Sequence, residues 1–230
     1  METKHKPQVD LSHYFTKRYT RKARWMSYWY HIREVLLTNP ETVLEVGVGN
    51  GTVTSYLRSV VKINVVTVDI DSSLKPDINL SVTELSSRLE PNQFDTVLCA
   101  QVLEHIPFDY FDKSLAELAF VSRRYVILTL PFDGPALSIS VLKKLLLLKM
   151  PSFRRHKFKG QHYWEIGKRG YSLKKILHHI GEVFKIERYY VIPEKPNQIL
   201  FVLRKDGSQP PAFEKSGLIS KILKPYVAIY

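Results

Sequence analysis

Residues 43–54 read Val43-Leu44-Glu45-Val46-Gly47-Val48-Gly49-Asn50-Gly51-Thr52-Val53-Thr54. Val43, Leu44 and Val46 form a short apolar, β-forming run, and a glycine turn and the start of a helix follow. Glycines at alternate positions let the backbone enter conformations closed to other residues, and they let a ligand approach it closely. A turn of this kind at the carboxyl end of a first strand is where an open α/β sheet holds a nucleotide-like ligand.

The spacing bears on which ligand. A dinucleotide fingerprint requires G-x-G-x-x-G, whose third glycine packs helix against strand beneath a pyrophosphate. Here the pattern is E-x-G-x-G-x-G, with Thr52 following Gly51, so the third dinucleotide glycine is absent. An acid two residues before the first glycine is also out of place beside a pyrophosphate. It suits a ligand with a cationic amino-acid end. The run resembles motif I of the class I S-adenosylmethionine (SAM)-dependent methyltransferases. That resemblance implies SAM as cofactor, with Glu45 close to its methionine moiety and Gly47, Gly49 and Gly51 forming the turn beneath it.

Downstream residues extend the resemblance in order. Ile63 to Val68 is a second β-rich run and leads into Asp69-Ile70-Asp71. A carboxylate about 20 residues after the glycine turn, at a strand end, can accept both ribose hydroxyls. Asp69 directly ends the strand and matches the family's motif II acid. Ile70 lies beside it, and Asp71 reads as a cap or turn residue. Pro76 to Val82 reads as a short third strand. Where many methyltransferases carry an acid facing the adenine amino group, this chain has Ser81. Adenine recognition is then left to backbone near Ser81 and Val82, or to Asp77 if the register is shifted.

Phe94 to Ile106, FDTVLCAQVLEHI, is a buried strand followed by a loop with an adjacent acid and imidazole. It is similar to the F-D-x-V-x-x-x-x-V-L-E-H-I motif of small-molecule methyltransferases. The three matches together span about residues 42–132. The resemblance implies that Glu104 and His105 edge the active site, with His105 either a general base or a capping or core histidine. Cys99, on the same strand, is assigned to the cofactor-binding set by this alignment and to core packing by its apolar neighbours. In Gly160-Gln161-His162-Tyr163-Trp164-Glu165, His162, Tyr163 and Glu165 are expected either to contact substrate or to form a structural turn packed by Trp164.

The expected fold is α/β, a Rossmann-like seven-stranded, mostly parallel sheet with helices on both faces and an antiparallel last strand. Residues 1–40 read as an N-terminal helical cap, rich in aromatic and basic side chains from Tyr14 to Tyr30 and closed by Asn39-Pro40. Residues 41–205 read as the methyltransferase domain, with a basic insertion at 133–170, and residues 206–230 as a tail. Further helices are expected at 52–60, 84–90, 109–121 and 172–180, the last between Ser172 as cap and Gly181 as stop. A fifth strand is expected at 125–130, and a final antiparallel pair at 183–192 and 198–203. The insertion shows no strand pattern. Leu145 to Leu148, flanked by lysines, is read as a helix that either lies on an anionic membrane or caps the pocket.

The chain has 230 residues and a formal net charge of +12, distributed unevenly. Residues 1–40 hold 8 basic against 3 acidic residues, residues 41–130 hold 7 against 12, and residues 141–175 hold 11 against 1. The positive flanks favour an anionic partner, whether a small anionic substrate, nucleic acid or a membrane surface; solvated faces are the alternative. The lone cysteine excludes an internal disulfide and a multi-cysteine zinc site, and no metal is expected. The first residues lack an apolar signal core and no run is long enough to span a bilayer, so a cytoplasmic protein is expected.

Methylases of base or glutamine amines often carry [DN]-P-P-[FY] after the fourth strand, where this chain reads Cys99-Ala100-Gln101-Val102. The expected reaction is therefore SAM-dependent methylation of a small-molecule or lipid-like acceptor, by O-methylation ahead of C-methylation. An RNA or protein methyltransferase, and a non-catalytic binding protein that keeps the fold, stand as alternatives.

Overall fold

A computed structural model of the protein describes residues 11–141, 144–158 and 160–207. Two 3-10 turns, Leu11–Phe15 and Lys17–Thr20, lead into helix α1 (Lys22–Leu37). Strand β1 (Thr42–Val46), helix α2 (Thr52–Tyr56) and β2 (Asn64–Asp69) follow, then β3 (Ile78–Asn79), β4 (Phe94–Ala100), α3 (Phe111–Val121) and β5 (Ser122–Pro131). The chain continues through β6 (Ala136–Val141), β7 (Lys144–Lys149), α4 (Leu173–Gly181), β8 (Lys185–Val191) and β9 (Gln198–Arg204).

Seven strands form one sheet in the order β3-β2-β1-β4-β5-β9-β8. The first five pair in parallel, and β9 runs antiparallel to both β5 and β8. The strand order reverses at β1 and β4, which places a crevice at their carboxyl ends. Along β4 every residue but the last is buried, as a central parallel strand covered on both faces requires. Leu98 joins an apolar cluster with α1 and α2, whereas Cys99 joins the opposite cluster with α3 and α4. The period of two thus divides one strand between two cores.

In α3, Phe111, Leu115, Leu118 and Val121 are buried, the spacing of a helix with one apolar stripe. Helix α1 is amphipathic only weakly and is anchored by polar bonds. Fully buried Glu34 accepts hydrogen bonds from Tyr190 Oη (2.7 Å) and from the Arg188 and Arg33 guanidiniums. Ser27 donates to Gln198 at 2.6 Å. Thr38 ends α1, Asn39 turns left-handed and Pro40 prevents continuation.

Three expectations are corrected. The third strand is only Ile78–Asn79, and the 84–90 helix is a 3-10 segment over Val82–Ser87. The leucine run is not a helix. It forms β7, paired antiparallel with β6 from Ala136↔Lys149 to Val141↔Lys144. Ala136-Leu137-Ser138-Ile139-Ser140-Val141 alternates small or polar with apolar residues, a period of two that marks a strand. The reading of a helix lying on an anionic membrane goes with it. Among the described residues no helix is long and apolar enough to cross a membrane. Tail residues 208–230 lie outside the described residues.

Candidate active site

The crevice at the carboxyl ends of β1, β2 and β4 is a cavity of about 460 Å³. Its floor is the glycine turn. Gly47 has φ +86°, and a Cβ there would stand 2.3 Å from the Val102 methyl, so both conformation and space demand glycine. The Gly47 N–H donates to Val68 O at 2.8 Å, which locks the turn against β2. Gly49 also lines the cavity, beneath the Tyr14 ring, whereas Gly51 stands outside the wall as the left-handed residue that opens α2.

Two carboxylates flank this floor. Glu45 projects from β1, is buried and accepts a hydrogen bond from the Thr54 hydroxyl. Burial pushes its pKa up to about 7, against the opposing effects of Thr54 and Arg58. Asp69 ends β2, and its two oxygens accept from Val48 N (2.8 Å) and Asp71 N (2.9 Å). Each oxygen keeps a second lone pair for a ligand hydroxyl. Burial raises the Asp69 pKa, partly offset by those N–H donors. Asp71 caps the next turn by accepting from Ser73 N.

Ile70, Ser81 and Val82 line the adjoining wall. The Ser81 hydroxyl already accepts from Thr83 N, so it is the cap of a 3-10 turn. Asp77 is not on the wall. Its carboxylate is taken up by Thr67 N (2.8 Å), Thr67 Oγ1 (2.7 Å) and Arg58, which removes the shifted-register alternative. Cys99 also falls outside the wall. Strand alternation turns it into the apolar core, where burial pushes its thiol pKa up.

At the far end, the loop after β4 meets the insertion. Glu104 and His105 both line the cavity. Glu104 is fully buried, neither carboxylate oxygen has a hydrogen-bond partner, and burial pushes its pKa up to about 7. His105 Nδ1 lies 3.1 Å from Gln161 O, and its ring meets that of His162 edge-on with centroids 5.0 Å apart. His162 lines the cavity and its Nδ1 lies 2.8 Å from Glu165 Oε1. Burial acts to lower the His162 pKa, but Glu165 and Glu104 outweigh it and the net shift is upward. Tyr163 and Glu165 are not on the wall. Tyr163 stacks on Phe158, and Glu165 is held behind His162 by Lys168 at 3.4 Å. Trp164 is wholly buried and donates to Ile106 O at 3.2 Å, so the turn is also a packed anchor.

Several wall residues escape a motif reading. Tyr14, Tyr19, Arg24, Tyr28 and His31 come from the N-terminal segment, and Tyr28 donates to Asn50 Oδ1 at 3.3 Å. Lys195 comes from the β8–β9 turn, and burial and the charge of Arg24 depress its pKa to about 7. Gln101 holds φ +58°, and its buried side-chain nitrogen has no partner. That backbone conformation is uncommon outside glycine and marks functional loops. Only the aromatic and basic composition of the N-terminal segment hinted at this roof.

A family model described as a methyltransferase domain matches residues 44–128. No curated protein sequence matches the chain. Among solved structures, a SAM-dependent methyltransferase from Archaeoglobus fulgidus is similar at 11% identity and TM-score 0.59, over 85% of this chain and 100% of that one. Magnesium protoporphyrin IX methyltransferase from Synechocystis, with bound S-adenosylhomocysteine, is similar at 14% identity and TM-score 0.58, over 87% and 90%. A Burkholderia thailandensis N1-methyltransferase, with bound 1,6-didemethyltoxoflavin and S-adenosylhomocysteine, is similar at 16% identity and TM-score 0.53, over 85% and 86%.

Proposed function

We propose that the segment matched by the methyltransferase-domain model is a class I SAM-dependent methyltransferase domain, and that its cavity holds SAM and passes the methyl group to a small, anionic or lipid-like acceptor by O-methylation. The observation that carries this reading is the arrangement of Glu45, Gly47 and Asp69 at one end of a cavity whose other end is Glu104 and His105. The carboxylates suit the ammonium and ribose hydroxyls of the cofactor. Adenine is assigned to the wall of Ile70, Ser81 and Val82.

Methyl transfer is an in-line displacement in which the acceptor oxygen bonds to the methyl carbon. The C–S bond breaks, and its electron pair stays on sulfur. The cofactor carries the reactivity, and the protein orients the partners and excludes water. A hydroxyl acceptor gives up its proton during transfer, and His105 is the imidazole placed at that end. Arg24 and Lys195 on the same wall favour an acceptor that carries negative charge. Tyr14, Tyr19 and Tyr28 of the basic aromatic segment face this cavity. That supports a small acceptor in the cavity; Phe15, Trp25 and Trp29 of the same segment are exposed and are the surface on which the RNA alternative would stack bases.

The test is transfer of labelled methyl from SAM to a panel of hydroxylated small molecules, RNA and protein. Label in an organic-extractable, base-stable ether is the expected result. Label precipitating with RNA or protein would contradict the proposal.

A further inference from the structure

We infer that Glu104, His105 and His162 form a binding site for one divalent transition-metal ion in the cavity wall. One ligand atom from each residue lies within 4.8 Å of the other two. Atoms bound at about 2.1 Å to a common ion stand about 3–4 Å apart, so closure requires side-chain shifts of about one ångström.

Two further observations point to a cation. The first is Glu104. Its side chain is wholly buried, aimed into the cavity, and neither oxygen has a hydrogen-bond partner. A buried carboxylate left unpaired is costly, and buried charges are paired or bind metals. The second is the support behind each imidazole. Gln161 O faces His105 Nδ1 at 3.1 Å, and Glu165 faces His162 Nδ1 at 2.8 Å. Each contact bears on which ring nitrogen carries the proton and holds the ring in place. A carboxylate or carbonyl behind each histidine is the arrangement that orients metal-bound imidazoles. The Tyr163 N–H bond to Glu104 O (2.8 Å) holds the two loops together, and the His156 bond to His162 O (2.8 Å) braces the insertion internally.

The donor set indicates the ion. Two imidazoles and one carboxylate, with no thiolate, suit Zn²⁺, Fe²⁺, Co²⁺ or Mn²⁺ over Mg²⁺ or Ca²⁺. Three protein ligands leave positions open to the cavity. On the methyl-transfer reading, on which this consequence alone rests, an acceptor oxygen takes one of them. A bound ion would lower the pKa of that hydroxyl, and the proton that His105 takes in the ion-free form would then pass to water, with His105 serving as a ligand.

The test is titration of the chelator-treated full chain with Co²⁺, followed by its visible absorption, and with Mn²⁺, followed by loss of the free-ion resonance. No SAM or acceptor is present. One equivalent is expected to bind. His162→Ala and Glu104→Gln are each expected to weaken binding at least about tenfold, and Glu165→Gln by about tenfold to a hundredfold. Unchanged melting curves for His162→Ala, at a half-buried position, would show that the fold persists. Absence of uptake by the wild type, or uptake equal in His162→Ala and Glu104→Gln, overturns the site. SAM affinity measured on the same samples tests the methyltransferase reading separately.

Discussion

The backbone N–H of Tyr163 donates to the carbonyl of Glu104 at 2.8 Å, which joins the insertion to the loop after β4. Beside it, the Trp164 indole donates to Ile106 O, and its ring packs edge-on against Phe108 and Phe111. Trp164 is therefore the buried side-chain anchor of the join between the insertion and the loop after β4. Trp164→Ala is expected to lower stability by about 3–5 kcal/mol, measured by urea unfolding. A stable variant with unaltered acceptor kinetics would show that the insertion does not need this anchor.

Asp69 is the wall carboxylate assigned to the ribose. Asp69→Ala removes hydrogen bonds to a charged group, worth about 1.5–3 kcal/mol. SAM affinity is expected to fall by about tenfold to a hundredfold in calorimetry. Unchanged affinity would remove the ribose assignment.

Glu45 gives a pH signature. Burial holds its carboxyl neutral up to about pH 7, and a cationic ligand prefers the ionised form. SAM affinity is therefore expected to rise with pH between about 5.5 and 7.5, by up to tenfold per unit. In Glu45→Gln this rise should be flat. A wild-type affinity that ignores pH across that range would contradict the contact.

His31 contributes an acid-sensitive component to stability. It is buried, close to Lys195 and Arg24, and burial and those charges depress its pKa to about 3. Between the unfolded value of about 6.5 and the folded value, the unfolded chain binds more protons. Stability therefore falls as pH drops through that window, by up to about 1.4 kcal/mol per unit from this group. Glu45 and Glu104, whose pKa values are both raised to about 7, act in the opposite sense between about pH 4.5 and 7. Melting temperatures of wild type and His31→Gln at pH 7 and 4.5 check this, with the larger acid loss expected in the wild type.

The parts of fold and site that are readable before folding are those encoded locally. Glu45, Gly47 and Asp69 fall in two short strand–turn segments, and each position has a local physical reason. Alternation and apolar runs mark the five parallel strands and the final pair. Other features depend on tertiary contact. Arg24 and Lys195 reach the cavity from opposite ends of the chain, and no spacing links them. Leu145 to Leu148 has no period of its own, and only its partner strand 136–141 carries the alternation that pairs it. Cys99 and Ala100 are neighbours on β4, yet only Ala100 reaches the wall, because successive side chains face opposite sides of a sheet. Glu104, His105 and His162 meet through folding of the insertion, so their cluster lies beyond any single motif.

Calorimetric titration with SAM and S-adenosylhomocysteine, with NADH as control, tests the central claim most directly. The structure predicts binding of both sulfur ligands at one site per chain and none of NADH. Absence of binding by either sulfur ligand, or binding of NADH in their place, would contradict it.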